Sequence, residues 1–312
     1  DNDEGYPTVD RFKVQGNASA GRFTMTQEAV TDLPGFPECI KLDCTTADTS
    51  IAAAERLFIQ TKIEGQDLQA TGTGTADAKP ITLSFYAKAS ASFKFVAALL
   101  NVDNDRYAGS TFDVTTSWQR FIITFPADVD DGSSPFDNDN ADSLHIRFFL
   151  HAGANYTSGT LSSTFANAVA ANTYDSNAGS FYSSTDNNFF ITGVQLEVGS
   201  VATPFEHRSF GEELALCQRY YYDPKLSSGN YWWLHPIVTD STGSYRRGSF
   251  PLPTAMRADP TATLTGATNG TFASNMPAVE GNDHRHYIGL TGDTNGENKY
   301  SDIRSLTLDA EL

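Results

Sequence analysis

Hydrolysis of a glycosidic bond takes two carboxylates facing each other across a cleft. Glu197 of VQLEVG and Glu206 of PFEHR lie close together in sequence and are the first such acids to weigh. With 38 acidic residues in the chain, chance pairs are guaranteed, so proximity in sequence assigns no chemistry. Glu197 reads as a structural group near a strand end, and Glu206 as an ion-pair partner of Arg208. No GxSxG, P-loop or strand-following GxGxxG motif occurs, so no nucleophile elbow or phosphate cradle is marked. The six histidines are scattered, and His284-Arg-His286 places two nitrogens on one face of a strand without a third ligand.

The loops NVDNDRY and DVDDGSSPFDNDNADS carry hard oxygen donors at alternate positions, a composition suited to calcium. Asp103, Asp105, Asp137 and Asp139 are the candidate ligands. An EF-hand is excluded, because its sixth position would be Asp142 in place of glycine and no glutamate closes the loop. Solvated acidic turns are the competing reading.

Aromatic rings can stack on the apolar face of a sugar. Tyr231, Trp232 and Trp233 form the densest cluster, and Tyr107, Tyr156, Tyr174 and Tyr182 fall in apparent loops as further platforms. In a strand, Trp232 and Trp233 point to opposite sides, so packing between domains or subunits competes with sugar stacking. Trp118 of TTSWQRF is expected in the core.

The elements that would position these groups are strands. ECIKLDCT, RLFIQTKI, ITLSFYAKAS, FKFVAALLNV, TFDVTTSWQRFIITFPA, LHIRFFLHAG and FFITGVQLEVG are spaced by Gly, Asp and Ser turns. Ile81, Leu83 and Phe85 alternate with Thr82, Ser84 and Tyr86, the period of a strand with one buried face. No amphipathic helix separates them, so βαβ units are excluded and an all-β, jelly-roll sandwich is expected. Residues 154–188 are too long and polar for a plain connector and read as a binding loop, contact arm or mobile insertion. Ser209 and Glu212 form a capping box for a short helix over residues 210–222, ended by Pro224. Three parts follow: a sandwich over 1–205, a helical linker over 206–223, and a smaller β domain over 224–312.

The chain has 312 residues, charged residues at 19% and a net charge of −17. That charge repels nucleic-acid phosphates and anionic membranes, and no apolar run is long enough for a transmembrane helix. The three cysteines, Cys39, Cys44 and Cys217, are expected as free thiols, since Cys39 and Cys44 fall on opposite strand faces. The chain begins at Asp1 and reads as processed, trimmed or part of a longer one.

The order ITLSFYAKAS, TTSWQRFIITFPA, LHIRFFLHAG, FFITGVQLEVG over residues 50–206 resembles jelly-roll carbohydrate-binding modules of the family-4/9 type. VQLEVGSVATPFEHRSFGEELALCQRYYYD, with FPLPTAMRADPT and a terminal TLDAEL, resembles bacteriophage tail-fibre and other virion surface proteins. These resemblances imply a non-enzymatic virion surface protein that binds host-surface glycans. They also imply homo-oligomers, with trimers favoured, contacts with other virion proteins, and a structural calcium. Two rivals stay open: a purely structural virion subunit, and the binding module of a depolymerase.

Overall fold

The computed structural model describes residues 5–6, 8–9, 11–17, 19–129, 135–223, 232–233, 245–265, 278–279, 287–293, 302–303 and 305–311. The chain divides into two compact units, Asp1–His207 and Arg208–Leu312.

The first unit is a sandwich of two antiparallel sheets, the all-β architecture expected from the alternation. Its strands are β1 (Lys13–Asn17), β2 (Arg22–Ala29), β3 (Glu38–Thr46), β4 (Arg56–Glu64), β5 (Ile81–Ala89) and β6 (Phe93–Asn101). They continue as β7 (Arg106–Val114), β8 (Gln119–Phe125), β9 (Asp142–Ala152), β10 (Ala166–Asn167) and β11 (Asn188–Val198). One sheet has the order β1-β4-β9-β6-β7-β10, the other β2-β3-β11-β5-β8. Each inner face presents every second residue: Leu57 and Ile59, Phe95, Ala97 and Leu99, Leu144, Ile146 and Phe148 from the first sheet meet Leu42, Leu83, Phe85, Phe189 and Ile191 from the second. Rings dominate the layer, and Phe85 packs edge-on against both Phe112 and Phe148.

The stretch 111–127, read from sequence as one strand, is two. Thr115 Oγ1 accepts from the Ser117 amide and closes a turn between β7 and β8, which never pair directly because β8 joins β5 in the other sheet. Cys39 and Cys44 are free and buried. Burial pushes the Cys39 thiol up to about 11, so it stays protonated and inert at neutral pH.

The residues after β11 cross back over the second sheet's outer face. Glu197 accepts from the Thr203 amide and hydroxyl, and Gln195 Oε1 accepts from the Glu206 amide at 2.8 Å. Thr82 donates to the Gly199 carbonyl at 2.7 Å, and Arg120 donates to that of Thr203. Phe205 then packs on Phe36, which also meets Tyr86. Hence Thr82 and Ser84 are buried although they alternate with core residues. Gly193 makes this possible: its φ of +59° falls where the β11–β5 register shifts, and a Cβ there would sit 2.7 Å from Phe36.

In the second unit a helix spans Phe210–Gln218, with the Ser209–Glu212 capping box formed on both sides. It stops before residue 222, because Tyr221–Tyr222 pair as a strand with Leu308 and Asp309. Arg208 pairs with Glu213 at 3.2 Å, within the helix's first turn, and not with Glu206. Ser305–Asp309 also pairs with Thr261–Thr265, and Tyr245–Pro251 pairs with Tyr287–Asp293. No helix among the described residues is long and apolar enough to cross a membrane.

Candidate functional site

The first sheet's outer face is built differently in its two halves. Over β6 and β7 it is roofed by residues 153–187, which form a second apolar layer with Phe58, Val96, Ala98, Tyr107, Phe149 and Tyr174. The insertion is thus a packed cover. Tyr107 is only 2% exposed, and its hydroxyl donates to the Thr173 carbonyl at 2.6 Å. Tyr174 and Tyr182 are equally buried. None of the three is a platform for a sugar, against the expectation from sequence: Tyr107 and Tyr174 are buried beneath the cover, and Tyr182 in the sandwich core. Tyr156 alone of the four remains half-buried, at the rim of the cover.

Over β1, β4 and β9 the same face carries polar side chains. Strand pairing sets Gln60 opposite Arg147 and Lys62 opposite His145. Arg147 Nε donates to Gln60 at 3.1 Å, and Arg147 Nη2 to His145 Nδ1 at 3.1 Å. His145 Nε2 then donates to Asp142 at 2.7 Å, and Lys62 reaches the same carboxylate at 2.8 Å. Burial, first of all, lowers His145 to about 4, so the imidazole is neutral near pH 7 and this tautomer satisfies both neighbours. Arg56 lies over the rings of Phe58 and Tyr156, at 5.5 and 5.2 Å, and Arg147 lies over Phe58 at 4.9 Å. The result is a row of planar donors held on strands, bordered by Tyr156.

At the sheet's end His151 bridges Ser180 (Nδ1 to Oγ, 2.7 Å) and Glu55 (Nε2 to Oε2, 3.1 Å). The connectivity is that of a Ser–His–acid triad. Its surroundings are those of a clamp: His151 is fully buried against the Tyr182 ring, Ser180 Oγ accepts from the Tyr182 amide as a turn cap, and Glu55 accepts from the Ala52 amide. It ties the insertion to the sheet. Two partners 29 and 96 positions from His151 give no sequence signal for this contact.

The acidic loops do meet, through hydrogen bonds. The Asp137 amide donates to Asp103 Oδ2 at 3.0 Å, Asn104 donates to the Pro135 carbonyl, and Asp139 Oδ1 accepts from the Ala141 amide. Asp105 adopts a positive φ of 52°, and its carbonyl receives the Ala168 amide. Among the described residues no three His, Cys, Asp or Glu side chains converge as a metal site. Trp232 and Trp233 lie on a two-residue strand paired with Asp302–Ile303. Tyr231, His284 and His286 lie outside the described residues. Trp118, expected in the core, is half-buried beyond the end of β8, where its indole donates to Asp32 at 2.8 Å and Lys88 sits 5.0 Å over its ring.

No known protein-family model matches this chain, and no curated protein matches it in sequence. Solved structures similar to it include two carbohydrate-binding modules and a tailspike domain. A family-4 carbohydrate-binding module is 14% identical with a TM-score of 0.34, covering 61% of this chain and 87% of its own. A family-11 module from Clostridium thermocellum, in complex with a β-1,3-1,4-mixed-linked tetrasaccharide, is 11% identical with a TM-score of 0.32, covering 64% and 95%. The enzymatically active domain of bacteriophage CBA120 tailspike protein 4 is 9% identical with a TM-score of 0.33, covering 60% of this chain. The match spans 19% of that tailspike chain, and at these identities and scores the sandwich rests on its own strand order.

Proposed function

We propose that the chain is a glycan-binding protein of a virion surface, acting without catalysis through the outer face of its first sheet. The observation that carries this reading is the pair Arg56 and Arg147, both partly exposed beside Tyr156, with the buried Gln60 and His145 holding Arg147 in place. Hydrogen-bonding groups are fixed there by strand register and by one another, on a face whose other half is already roofed. Planar polar groups beside an aromatic ring match the alternating hydroxyl and apolar surfaces of a sugar. The virion setting rests on the resemblance of the 194–223 junction and carries with it self-association; calcium in the acidic loops rests on the resemblance to jelly-roll carbohydrate-binding modules. A second reading, a purely structural subunit, draws on the helix of the second unit. Phe210 is 83% exposed and Leu214 42%, four residues apart on one helix face.

Retention of the purified chain on a panel of bacterial surface glycans and marine polysaccharides, with calcium and with chelator, decides between these. Specific retention without release of reducing ends is the expected result. Retention with release would make the chain a depolymerase. No retention by a folded chain would favour the structural subunit. A lower melting temperature in chelator supports calcium, because an ion bound only to the folded state stabilises it.

A further inference from the structure

Several cations of the sandwich have an anionic partner. Lys62 pairs with Asp142, Lys88 with Asp32, Lys41 with Glu28, and Arg106 with Asp128 at 2.6 Å. Arg56 and Arg147 differ. Arg56 precedes Phe58 by two residues on β4, and Arg147 is set opposite Gln60, two residues beyond it, so their stems converge on one ring from opposite sides. Arg147 is bonded to two uncharged acceptors, Gln60 and His145. Arg56 makes no ion pair or hydrogen bond among the described residues, and its Nε is buried without a partner.

This arrangement is costly as it stands. Two like charges share one face, and an unpaired buried donor loses its water without recompense. Arg147 is lowered to about 10, by burial first and by Arg56 second, with no carboxylate opposing the shift. The chain has 38 acidic side chains against 21 basic ones, yet among the described residues no carboxylate pairs with either guanidinium. Guanidinium groups match two-oxygen anions in plane, which neutral hydroxyls satisfy less well. Lys13 extends the same face across β1, since its neighbour Val14 points into the core.

We propose that Arg56 and Arg147 form an oxyanion subsite that receives the carboxylate or sulfate ester of an acidic sugar, making the glycan an anionic polysaccharide. The proposal rests on the glycan-binding reading and narrows its ligand class. The net charge of −17 does not oppose it at close range, because exposed charges more than about 8 Å apart are largely screened at physiological salt.

The test compares retention of the full chain on polygalacturonate, a sulfated carrageenan and neutral dextran, each at low and high salt. Retention on polygalacturonate or carrageenan, reduced by salt and absent on dextran, is expected; the two anionic arms separate carboxylate from sulfate ester. Arg56→Gln should weaken anionic retention by about tenfold or more, the loss of one charge-assisted pair. It should leave the melting temperature nearly unchanged, since it removes repulsion and breaks no hydrogen bond while giving up two cation–π contacts. Arg56→Lys, which keeps charge and loses the planar fork, should fall between. Should Arg147→Gln fail to fold, the Arg56 variants decide alone. Equal retention on dextran, or anionic retention untouched by Arg56→Gln, overturns the oxyanion subsite and leaves glycan binding standing. Retention on nothing across the wider panel ends both.

Discussion

The two outer faces of the sandwich are closed by different means. The second sheet is covered by nine residues, 199–207, that follow directly from its central strand and bond back to it through Gln195, Glu197 and Thr82. At its far edge Asp32 holds both Lys88 and Trp118, so charge there is internally matched. The first sheet is covered by the 153–187 insertion on one half only, and on the other half, among the described residues, Arg147 has only uncharged acceptors and Arg56 only rings. Each sheet keeps one buried guanidinium Nε without a partner, Arg120 on the second and Arg56 on the first, but Arg120 is bonded to Ser84 and to the Thr203 carbonyl of the cover, whereas the Arg56 side chain meets only rings. On the reading proposed above, the ligand sits on the first sheet.

The strongest way to break this comparison is to remove the roof. Tyr107→Ala deletes a buried ring and leaves the Thr173 carbonyl unpaired, and should cost about 3–5 kcal/mol. Denaturant titration would measure the loss, and limited proteolysis should then cut within 153–187. Wild-type resistance at those residues is expected; ready cleavage of the wild type would mean that the insertion is no roof.

Next comes pH, which should separate the two faces. His145 and His151 are buried and lowered, chiefly by desolvation, on the first sheet. The unfolded chain takes up protons below about 6.5 that these imidazoles refuse in the fold. Stability should thus be whole above that pH and fall as pH drops toward 4. For His145, the gap between 6.5 and about 4 is worth on the order of 3 kcal/mol. Asp32, on the second sheet, is lowered by its bonds to Lys88 and Trp118, so its contribution persists until pH falls through its ordinary value of 3.8 and below. Unfolding midpoints at pH 7, 5 and 3.5 test this, with His145→Gln flattening the first interval. A flat profile from 7 to 5 would refute buried neutral histidines.

Much of the fold was legible because burial on one side imprints a period of two. Ile81, Leu83 and Phe85 do face the core, and the Ser209–Glu212 box does start a helix. What escaped is what depends on pairing between distant strands. Arg147 meets Gln60 across 87 residues, and neither side chain looks unusual in its own strand. Tyr107 was read as a loop residue because NVDNDRY is rich in turn formers; β7 nevertheless begins at Arg106, and the ring faces a cover 66 residues away. Glu197 was legible as structural, but its partner Thr203 was not, since that contact depends on the chain reversing after Gly199. Trp118 misled by type: a large ring is commonly buried, yet a turn position beyond the strand end leaves no second layer to bury it.

Trp118 also supplies the smallest and sharpest check. Its indole, the Lys88 ammonium and Asp32 form an arrangement on the second sheet that could pass for a sugar platform: a half-exposed ring flanked by charges. If that edge is internally satisfied, Trp118→Ala removes an exposed cation–π contact and one hydrogen bond, together worth about 1 kcal/mol. Asp32 keeps Lys88, so no charge is stranded. The melting temperature should fall by a few degrees, and retention on every glycan that the wild type binds should not change. Arg56→Gln should do the reverse, sparing stability and losing retention. The two variants thus move two readouts in opposite directions. Loss of glycan retention in Trp118→Ala, with Arg56→Gln still binding, would transfer the site to the other sheet, because a saturated surface would then have proved to be the functional one.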